Sequence, residues 1–333
     1  MTQAAVREKN VVTTLTTGER LRRTTFNEFT WIWGGTALIF IVSAILAPGT
    51  VRVASISSML PFAAILAIAA VGQTIVIQQR GLDMSLPGIM TISGLLLAKF
   101  GFMTGSLLLA VPLTLVCACL FGILNGLLVA KVNITPIVTT LAVNAILLGA
   151  VRTISGGSPM SAPPELAAFS HYQILGVPMT LILALLFIVF ISVATRRTVY
   201  GRRFVAVGAN PAAAAAGGMP VLPYQVGTYA IAAICFAVAG MLYTGFIGSA
   251  SQTAGNDYLL PAIAAVVVGG TPFTGGRGSV VASGVAALFM VQLGQMVLAL
   301  GADTSVQLLV QALSIIIAVT IRYIPSALSV LRA

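Results

Sequence analysis

Long apolar segments, each about the length of a membrane-spanning helix, follow one another along most of this chain. They run for roughly 17–25 residues, and a helix of about 20 apolar residues crosses the hydrocarbon layer of a bilayer. Charged residues make up only 7% of the 333 residues, against 58% hydrophobic ones. A water-soluble domain needs more polar side chains than this to cover its surface. The chain is therefore predicted to be a polytopic membrane protein of the all-α class.

Ten segments are predicted to form a bundle of transmembrane helices, two of them short. They are residues 30–47, 59–78, 86–100, 106–130, 134–152, 177–195, 223–247, 258–270, 279–300 and 304–322. Three regions follow from this division. Residues 1–29 are polar and are expected to form a cytoplasmic tail, residues 30–325 a transmembrane domain with a cytoplasmic loop at 196–222, and residues 326–333 a second cytoplasmic tail.

The basic residues predict the orientation of these helices. Lys and Arg are retained preferentially on the cytoplasmic side of membrane proteins. If the N-terminus lies in the cytoplasm, only Arg52, Lys99 and Arg152 of the 17 basic residues fall outside. Both termini are therefore predicted to be cytoplasmic. The net charge of +10 is explained by this topology better than by nucleic-acid binding.

Three segments interrupt the apolar pattern, and each is a candidate functional element. The first is residues 80–88, where glycines at both ends and a proline prevent one continuous helix. At membrane depth such a break persists only when it is buried in protein or lines a watery cavity. Asp83 or Ser85 is interpreted either as the cap of the following helix or as a polar element beside a translocation pathway, and the cap is favoured.

The second segment, residues 195–223, contains four arginines, then Asn210-Pro211, five alanines and two glycines. Asn210 before a proline begins a helix, alanine has the highest helix propensity, and glycine ends the helix. We therefore predict a short cytoplasmic helix. It is interpreted either as a simple connector or, preferably, as a surface that docks onto a cytoplasmic partner, because an exposed Ala-rich helix has no polar face.

The third segment, residues 255–279, is a short apolar span followed by a glycine-rich turn. The turn lacks the lysine and the spacing of a nucleotide-binding loop, so ATP binding by this chain is not expected. Tight packing of a broken helix pair is the favoured interpretation. The three cysteines lie inside apolar runs and are predicted to be buried and unpaired, which disfavours a metal site.

These segments resemble the permeases of ribose/xylose/arabinose-type (carbohydrate) ABC transporters. Residues 81–85 are similar to the family's G-[IL]-D-L-S element, and residues 125–129 to its N-G-x-L-V element. Residues 201–211 are similar to the cytoplasmic G-R-…-A-I-G-x-N-P run, and residues 262–278 to the A-I-A-A-V-V-x-G-G-T-x-x-x-G-G-x-G signature. The similarities occur in the same order as in the family and extend over residues 60–320.

The resemblance implies a type II-importer-like permease of the bacterial inner membrane. Such a subunit pairs with a second permease, identical or a sister chain, receives its solute from a sugar-binding protein outside the cell, and is driven by a cytoplasmic ABC ATPase. The ATPase binds ATP, so this chain is expected to be a transport subunit with no cofactor and no enzymatic site of its own. The residues that the resemblance implies for coupling to the ATPase are Gly208, Asn210, Pro211, Ala213, Ala214 and Gly218.

A neutral sugar requires a cavity with hydroxyl and amide groups rather than a charged filter. The predicted spans contain such groups and almost no charge. The candidate residues of the translocation pathway are Gln73, Asp83, Ser85, Asn125, Asn144, Gln292 and Gln295. The alternative, an ion-coupled secondary transporter of a small neutral solute, is less favoured, because such a carrier is expected to have acids or histidines in mid-membrane.

Overall fold

The computed structural model describes residues 29–330, and the side chains of residues 29–320. This part of the chain forms thirteen α-helices, a 3-10 turn at Pro48–Val51 and four two-residue strands. The helices are α1 (Trp31–Leu46), α2 (Val53–Gln78), α3 (Leu86–Thr104), α4 (Leu107–Ala130), α5 (Pro136–Ser155), α6 (Pro164–His171), α7 (Met179–Arg197), α8 (Val199–Ala209), α9 (Pro211–Ala216), α10 (Val221–Ile247), α11 (Asn256–Val268), α12 (Val280–Ala299) and α13 (Thr304–Val330). The strands form two antiparallel pairs, β1 (Met160–Ser161) with β4 (Ser249–Ala250) and β2 (Gln173–Ile174) with β3 (Val177–Pro178).

Ten of these helices correspond to the ten predicted spans. Seven are long and apolar enough to cross a bilayer, namely α2, α3, α4, α5, α7, α10 and α12. Helices α1, α11 and the part of α13 up to residue 320 are shorter apolar helices. With 13 residues, α11 rises by about 20 Å, less than the roughly 30 Å of a bilayer core. An all-α polytopic bundle with a broken span is therefore confirmed.

Several helices differ from the prediction. Helix α2 begins at Val53 instead of residue 59, and α13 continues to Val330 instead of ending at residue 322. Helix α3 extends to Thr104 instead of ending near residue 100, because Gly101 remains helical and the chain turns only at Gly105, whose φ is 63°. Helix α8 lies where the sequence indicates an arginine-rich connector. Its buried face is Gly201, Phe204 and Val207, a pattern too short to appear as an apolar run.

The predicted tails lie largely outside this description. Residues 1–28 are outside the described residues. At the other end, α13 continues through residues 326–330, and residues 331–333 are outside.

Helix α2 forms the centre of the bundle. Its residues from Ala63 to Gln78 are buried, and it packs against α7, α10, α11 and α12. Helix α10 also packs closely against α3 and α4. A Cβ at Gly122 of α4 would lie 2.5 Å from the Tyr229 carbonyl oxygen of α10, so only glycine permits this approach. Because lipid supplies no hydrophobic force between helices, such close contact is a main source of their packing.

Three long helices, α4, α5 and α7, present most of their apolar side chains outward. An apolar surface of this extent is unfavourable in water. These faces are therefore available to lipid or to another membrane subunit.

The connections between helices are grouped at two ends of the bundle. At one end, residues 79–85, 198–220 and 269–279 contact one another. At the other end, β1 pairs with β4, and the rings of His171 and Phe246 lie 4.9 Å apart. We call the first the Arg80 end and the second the strand end.

Candidate functional site

A buried polar cluster occupies the break between α2 and α3. Asp83 Oδ1 accepts hydrogen bonds from the Ser85 backbone N–H at 2.9 Å and from the Ser85 hydroxyl at 2.5 Å. Asn125 of α4 donates from Nδ2 to Ser85 Oγ at 2.8 Å. In the orientation that satisfies both of its ends, the Gln73 amide bonds the Asp83 carbonyl oxygen at 3.3 Å and the Asp83 N–H at 3.2 Å. The break therefore brings together four of the candidate pathway residues.

The carboxylate of Asp83 is connected to the start of α3 by its hydrogen bonds with Ser85. Ser85 occupies the N-cap position, but its hydroxyl donates to Asp83 and accepts no hydrogen bond from an α3 amide. Burial raises the pKa of the Asp83 carboxyl to about 6, although the hydrogen bonds from Ser85 lower it. The carboxyl group lies at the N-terminal, positive end of the α3 dipole.

Helix α5 supplies the cap that the sequence assigns to Asp83 or Ser85. Asn144 Oδ1 accepts from the Gly88 N–H in the first turn of α3 at 2.7 Å. One turn earlier, Thr140 Oγ1 accepts from the Met84 N–H at 2.8 Å. Asn144 is therefore part of the same polar region, and its contact stabilises the helix start.

The polar atoms of this region that are buried without a hydrogen-bond partner among the described side chains and backbone include three near Asp83. They are Asp83 Oδ2, Asn125 Oδ1 and the Tyr229 hydroxyl of α10. An unpaired buried polar group costs about 1–3 kcal/mol. The cluster therefore has hydrogen-bonding capacity that the described residues do not use.

Arg80 connects this break to the end of α8. Its Nε donates to the Gly208 carbonyl oxygen at 2.9 Å, and its Nη2 donates to the Ala209 carbonyl oxygen. Beside it, Gln79 Nε2 donates to the Phe204 carbonyl oxygen at 2.7 Å. A cation is favourable at the C-terminal end of a helix, where carbonyl groups lack partners. We call these contacts the Arg80 bracket.

The glycine-rich turn after α11 packs against the same bracket. The Gly276 N–H donates to the Gln78 carbonyl oxygen at 2.8 Å. A Cβ at Gly276 would lie 2.6 Å from the Cβ of Ala209, so the turn fits against α8 only with glycine here. Arg80 itself has a φ of 64°, a left-handed conformation that non-glycine residues adopt rarely. All three interrupted segments of the sequence meet at this point.

Helix α9 is a six-residue helix at the Arg80 end. Asn210 Oδ1 accepts from the Ala213 N–H at 3.1 Å, and the helix ends before Gly217, as the sequence predicts. The candidate coupling residues divide by exposure. Asn210, Ala213 and Gly218 are exposed and Pro211 is half-buried, whereas Gly208 and Ala214 are buried within this chain. The exposed residues are available to a partner, and the two buried ones hold α9 against the bundle.

A cavity of about 510 Å³ lies at the strand end, between α2, α10, α11, α12 and α13. The pathway candidate Gln295 lines it, together with Tyr243 and Tyr258, whose rings lie 5.6 Å apart. Gln292 is buried nearby and donates from Nε2 to Thr50 Oγ1 at 3.3 Å. The seven candidate pathway residues thus form two groups, five around the break and two on α12, of which Gln295 lines this cavity and Gln292 does not.

Several residues of these sites are not among the sequence candidates. They are Arg80, Thr140, Tyr229, Tyr243, Tyr258, Gln307 and Gln311. Gln307 and Gln311 are four residues apart in an apolar helix, so the sequence contains a signal for them in the form of one polar stripe. The others make contacts with distant segments that no local pattern indicates.

The cysteines are free, and Cys235 is buried while Cys117 and Cys119 are half-buried. Within the described part of the chain, no group of three or more His, Cys, Asp or Glu side chains is arranged to hold a metal ion.

Comparison with known proteins identifies relatives that align with most of this chain. The ribose import permease protein RbsC of Bacillus subtilis is 33% identical over 288 residues, which cover 86% of this chain and 89% of that protein. RbsC of Escherichia coli K12 is 31% identical over 291 residues, covering 85% and 90%. The autoinducer 2 import system permease protein LsrD of an Enterobacter species is 32% identical over 280 residues, covering 79% and 84%. No solved structure gives a significant match.

The family described as branched-chain amino acid transport system / permease component matches residues 55–319. This range begins in the first turn of α2 and includes the Arg80 bracket, α9 and the cavity. The resemblance to carbohydrate ABC permeases is confirmed by these matches. The chain belongs to the branched-chain amino acid transport system / permease component family and is the membrane-spanning permease subunit of an ATP-driven importer.

Proposed function

We propose that this permease carries a sugar or a sugar-like neutral solute across the bacterial inner membrane. The relatives named above are ribose and autoinducer 2 import permeases. The polar residues of the interior are suited to a neutral solute, because the side chains of the pathway candidates other than Asp83 are amides and a hydroxyl. Such groups both donate and accept hydrogen bonds and do not select for charge.

The single observation that carries the coupling mechanism is the Arg80 bracket. Helix α9 follows directly on the carbonyl groups of Gly208 and Ala209, to which Arg80 donates. Arg80 in turn lies three residues before Asp83, the centre of the buried polar cluster. A displacement of α9 therefore reaches the break through two hydrogen bonds and a short stretch of backbone, and it shifts the break between two arrangements.

An ABC importer permease works with an ATPase and a substrate-binding protein. In our proposal the ATPase contacts the exposed residues of α9, which are Asn210, Ala213 and Gly218. The outward apolar faces of α4, α5 and α7 then contact lipid and a second permease subunit, either identical or a sister chain. The binding protein docks at the strand end, where Glu165, Asp257 and Asp303 supply charges for its rim contacts.

The orientation follows from charge. With the Arg80 end in the cytoplasm, Arg80, Arg196 and Arg202 lie inside together with both termini, as expected from the retention of basic residues. In this arrangement ATP is bound and hydrolysed by the partner ATPase, and the permease has no cofactor of its own. The solute enters at the strand end and leaves near the break, so both groups of pathway candidates lie along its route.

The test is uptake by proteoliposomes that contain the permease, its ATPase and its binding protein. The double variant Asn210→Arg and Ala213→Glu places charges on the exposed side of α9. We expect ATP-driven uptake to be lost, measured with radiolabelled neutral sugars beginning with D-ribose, and the ATPase to stop co-purifying. Ala214 is unsuitable for this test because it is buried.

A matched control places the same charges at the strand end, as Gln173→Arg with Ser158→Glu. Both residues are exposed, so the ATPase should co-purify normally with this variant. Normal uptake by the α9 variant would contradict the coupling assignment. Uptake by the permease alone, driven by an ion gradient without ATPase, would instead establish a secondary transporter.

A further inference from the structure

The cavity at the strand end has the size of a ligand site. Its volume of about 510 Å³ lies within the roughly 300–1,000 Å³ range of small-molecule pockets. Its mouth is formed by the N-terminal parts of α2, α11 and α13, with Ser58, Asp257 and Thr304. Its inner wall is formed by Leu66 and Met290, which are buried in the bundle.

Three glutamine amides border this cavity, and the hydrogen bonding of two of them is incomplete. Gln311 is only 4% exposed, and its Oε1 has no hydrogen-bond partner in the described part of the chain. The same is true of Gln295 Oε1 on the facing helix. A Cβ at Gly294 would lie 2.6 Å from Gln307 Nε2, so glycine at this position leaves room for the amides. Buried carbonyl oxygens of this kind are acceptors available to a ligand hydroxyl.

The remaining lining indicates which ligands fit. Tyr243 and Tyr258 stand edge to face in the wall, and aromatic faces pack against the apolar faces of a ring. Among the described residues, the lining includes no Lys, Arg or His, and Asp257 is its one carboxylate. An anion therefore finds no cationic partner in this lining and is repelled by Asp257, whereas hydroxyl groups find amide, hydroxyl and carboxylate partners.

We propose that this cavity is a solute-binding subsite contained within a single permease subunit, selective for a neutral polyhydroxylated molecule of monosaccharide size. The inference rests on the proposed import function and assigns Gln311, Gln307 and Tyr243 as residues that contact the solute. Ser58 at the mouth and Gln78 at the Arg80 end are the two ends of one helical stretch about 30 Å long. In this proposal, solute released by the binding protein binds first at this subsite.

The test is the concentration dependence of uptake by the complete complex in proteoliposomes. Gln311→Leu removes the amide with little change in volume, and we expect the apparent KM for the best-transported neutral sugar to rise about tenfold, as for one lost hydrogen bond. The rate at saturation and the ATPase activity stimulated by the binding protein should be retained. Gln225→Leu, a half-buried glutamine near the start of α10 and outside the cavity, is the matched control and should leave KM unchanged.

A second variant tests whether solute occupies the cavity by filling its volume. Val291→Trp fills the space from a half-buried position in the wall, and we expect uptake to be lost while the ATPase still co-purifies. If Gln311→Leu lowers the amount of complex, Gln307→Leu provides the same KM measurement from a half-buried side chain.

The outcomes separate this inference from the proposed function. If the unmodified complex imports a neutral sugar and the glutamine and Val291→Trp variants import it with unchanged KM, the cavity does not bind solute and the inference is overturned. If the unmodified complex imports no neutral sugar with ATP, the proposed function itself fails.

Discussion

Replacing Arg80 by glutamine should uncouple α9 from the buried break without unfolding the bundle. Glutamine is shorter and neutral, so it cannot maintain both hydrogen bonds that the guanidinium donates to Gly208 and Ala209. The C-terminal end of α8 also loses its cation. The exposed surface of α9 is unchanged, so the ATPase should still bind. We expect ATP hydrolysis to continue while uptake falls.

The two hydrogen bonds set the size of this effect. The bond to Gly208 is part-buried and 2.9 Å long, and a hydrogen bond with a charged partner contributes about 1.5–3 kcal/mol. The bond to Ala209 is exposed and contributes less. The coupling free energy should therefore fall by about 2–3 kcal/mol. Because about 1.4 kcal/mol corresponds to a tenfold change, uptake per ATP hydrolysed should fall about 30- to 150-fold.

The assay measures sugar uptake and ATP hydrolysis in the same proteoliposomes and reports their ratio. Arg202→Gln is the control, because Arg202 is an exposed arginine of α8, and its ratio should be unchanged. Arg80→Lys keeps the charge but lacks the planar fork that reaches two carbonyl groups, so its ratio should be intermediate.

Two results would refute this reasoning. An unchanged ratio in Arg80→Gln would mean that the bracket does not transmit the movement of α9. An equal loss in Arg80→Gln and Arg202→Gln would assign the effect to surface charge.

Two further predictions concern packing and topology. Gly240→Ala should lower the unfolding temperature in detergent, because a Cβ there meets a backbone carbonyl of α3. The expected loss in the free energy of unfolding is about 1–3 kcal/mol. Gly149→Ala, with open space around the added Cβ, should have little effect. In a background without native cysteines, a cysteine at Ala213 should react with a membrane-impermeant maleimide only from the cytoplasmic side, and one at Leu175, which is 99% exposed, only from outside. Labelling of each cysteine from the opposite side would contradict the proposed topology.

The number and position of the apolar helices follow from the sequence because the bilayer leaves few alternatives. An apolar segment of about 20 residues in lipid must satisfy its own backbone, and a helix does so. The same constraint does not apply to α8, which lies at the end of the bundle. Its buried face of Gly201, Phe204 and Val207 is short, and Gly201 packs against backbone carbonyl groups of α7. No run of apolar residues in the sequence therefore marks this helix.

The candidate site was predictable as a set of residues but not as a set of contacts. Gln73, Asp83 and Asn125 stand out because polar residues are rare in these segments. The partner of Arg80, in contrast, lies 128 positions further along the chain, and no local pattern links the two. Likewise, five consecutive alanines give no indication that Ala214 is the one facing inward.

Helices α2 and α11 connect the Arg80 bracket with the cavity at the opposite end. Both form walls of the cavity, and both end at the bracket, α2 through residues 78–80 and α11 through its glycine-rich turn. Helix α2 is packed on several sides by other helices, so it moves as a rigid element rather than bending. A shift at Arg80 therefore displaces two walls of the cavity together. This arrangement explains how one short helix that an ATPase moves at one end changes access to a solute site about 30 Å away at the other.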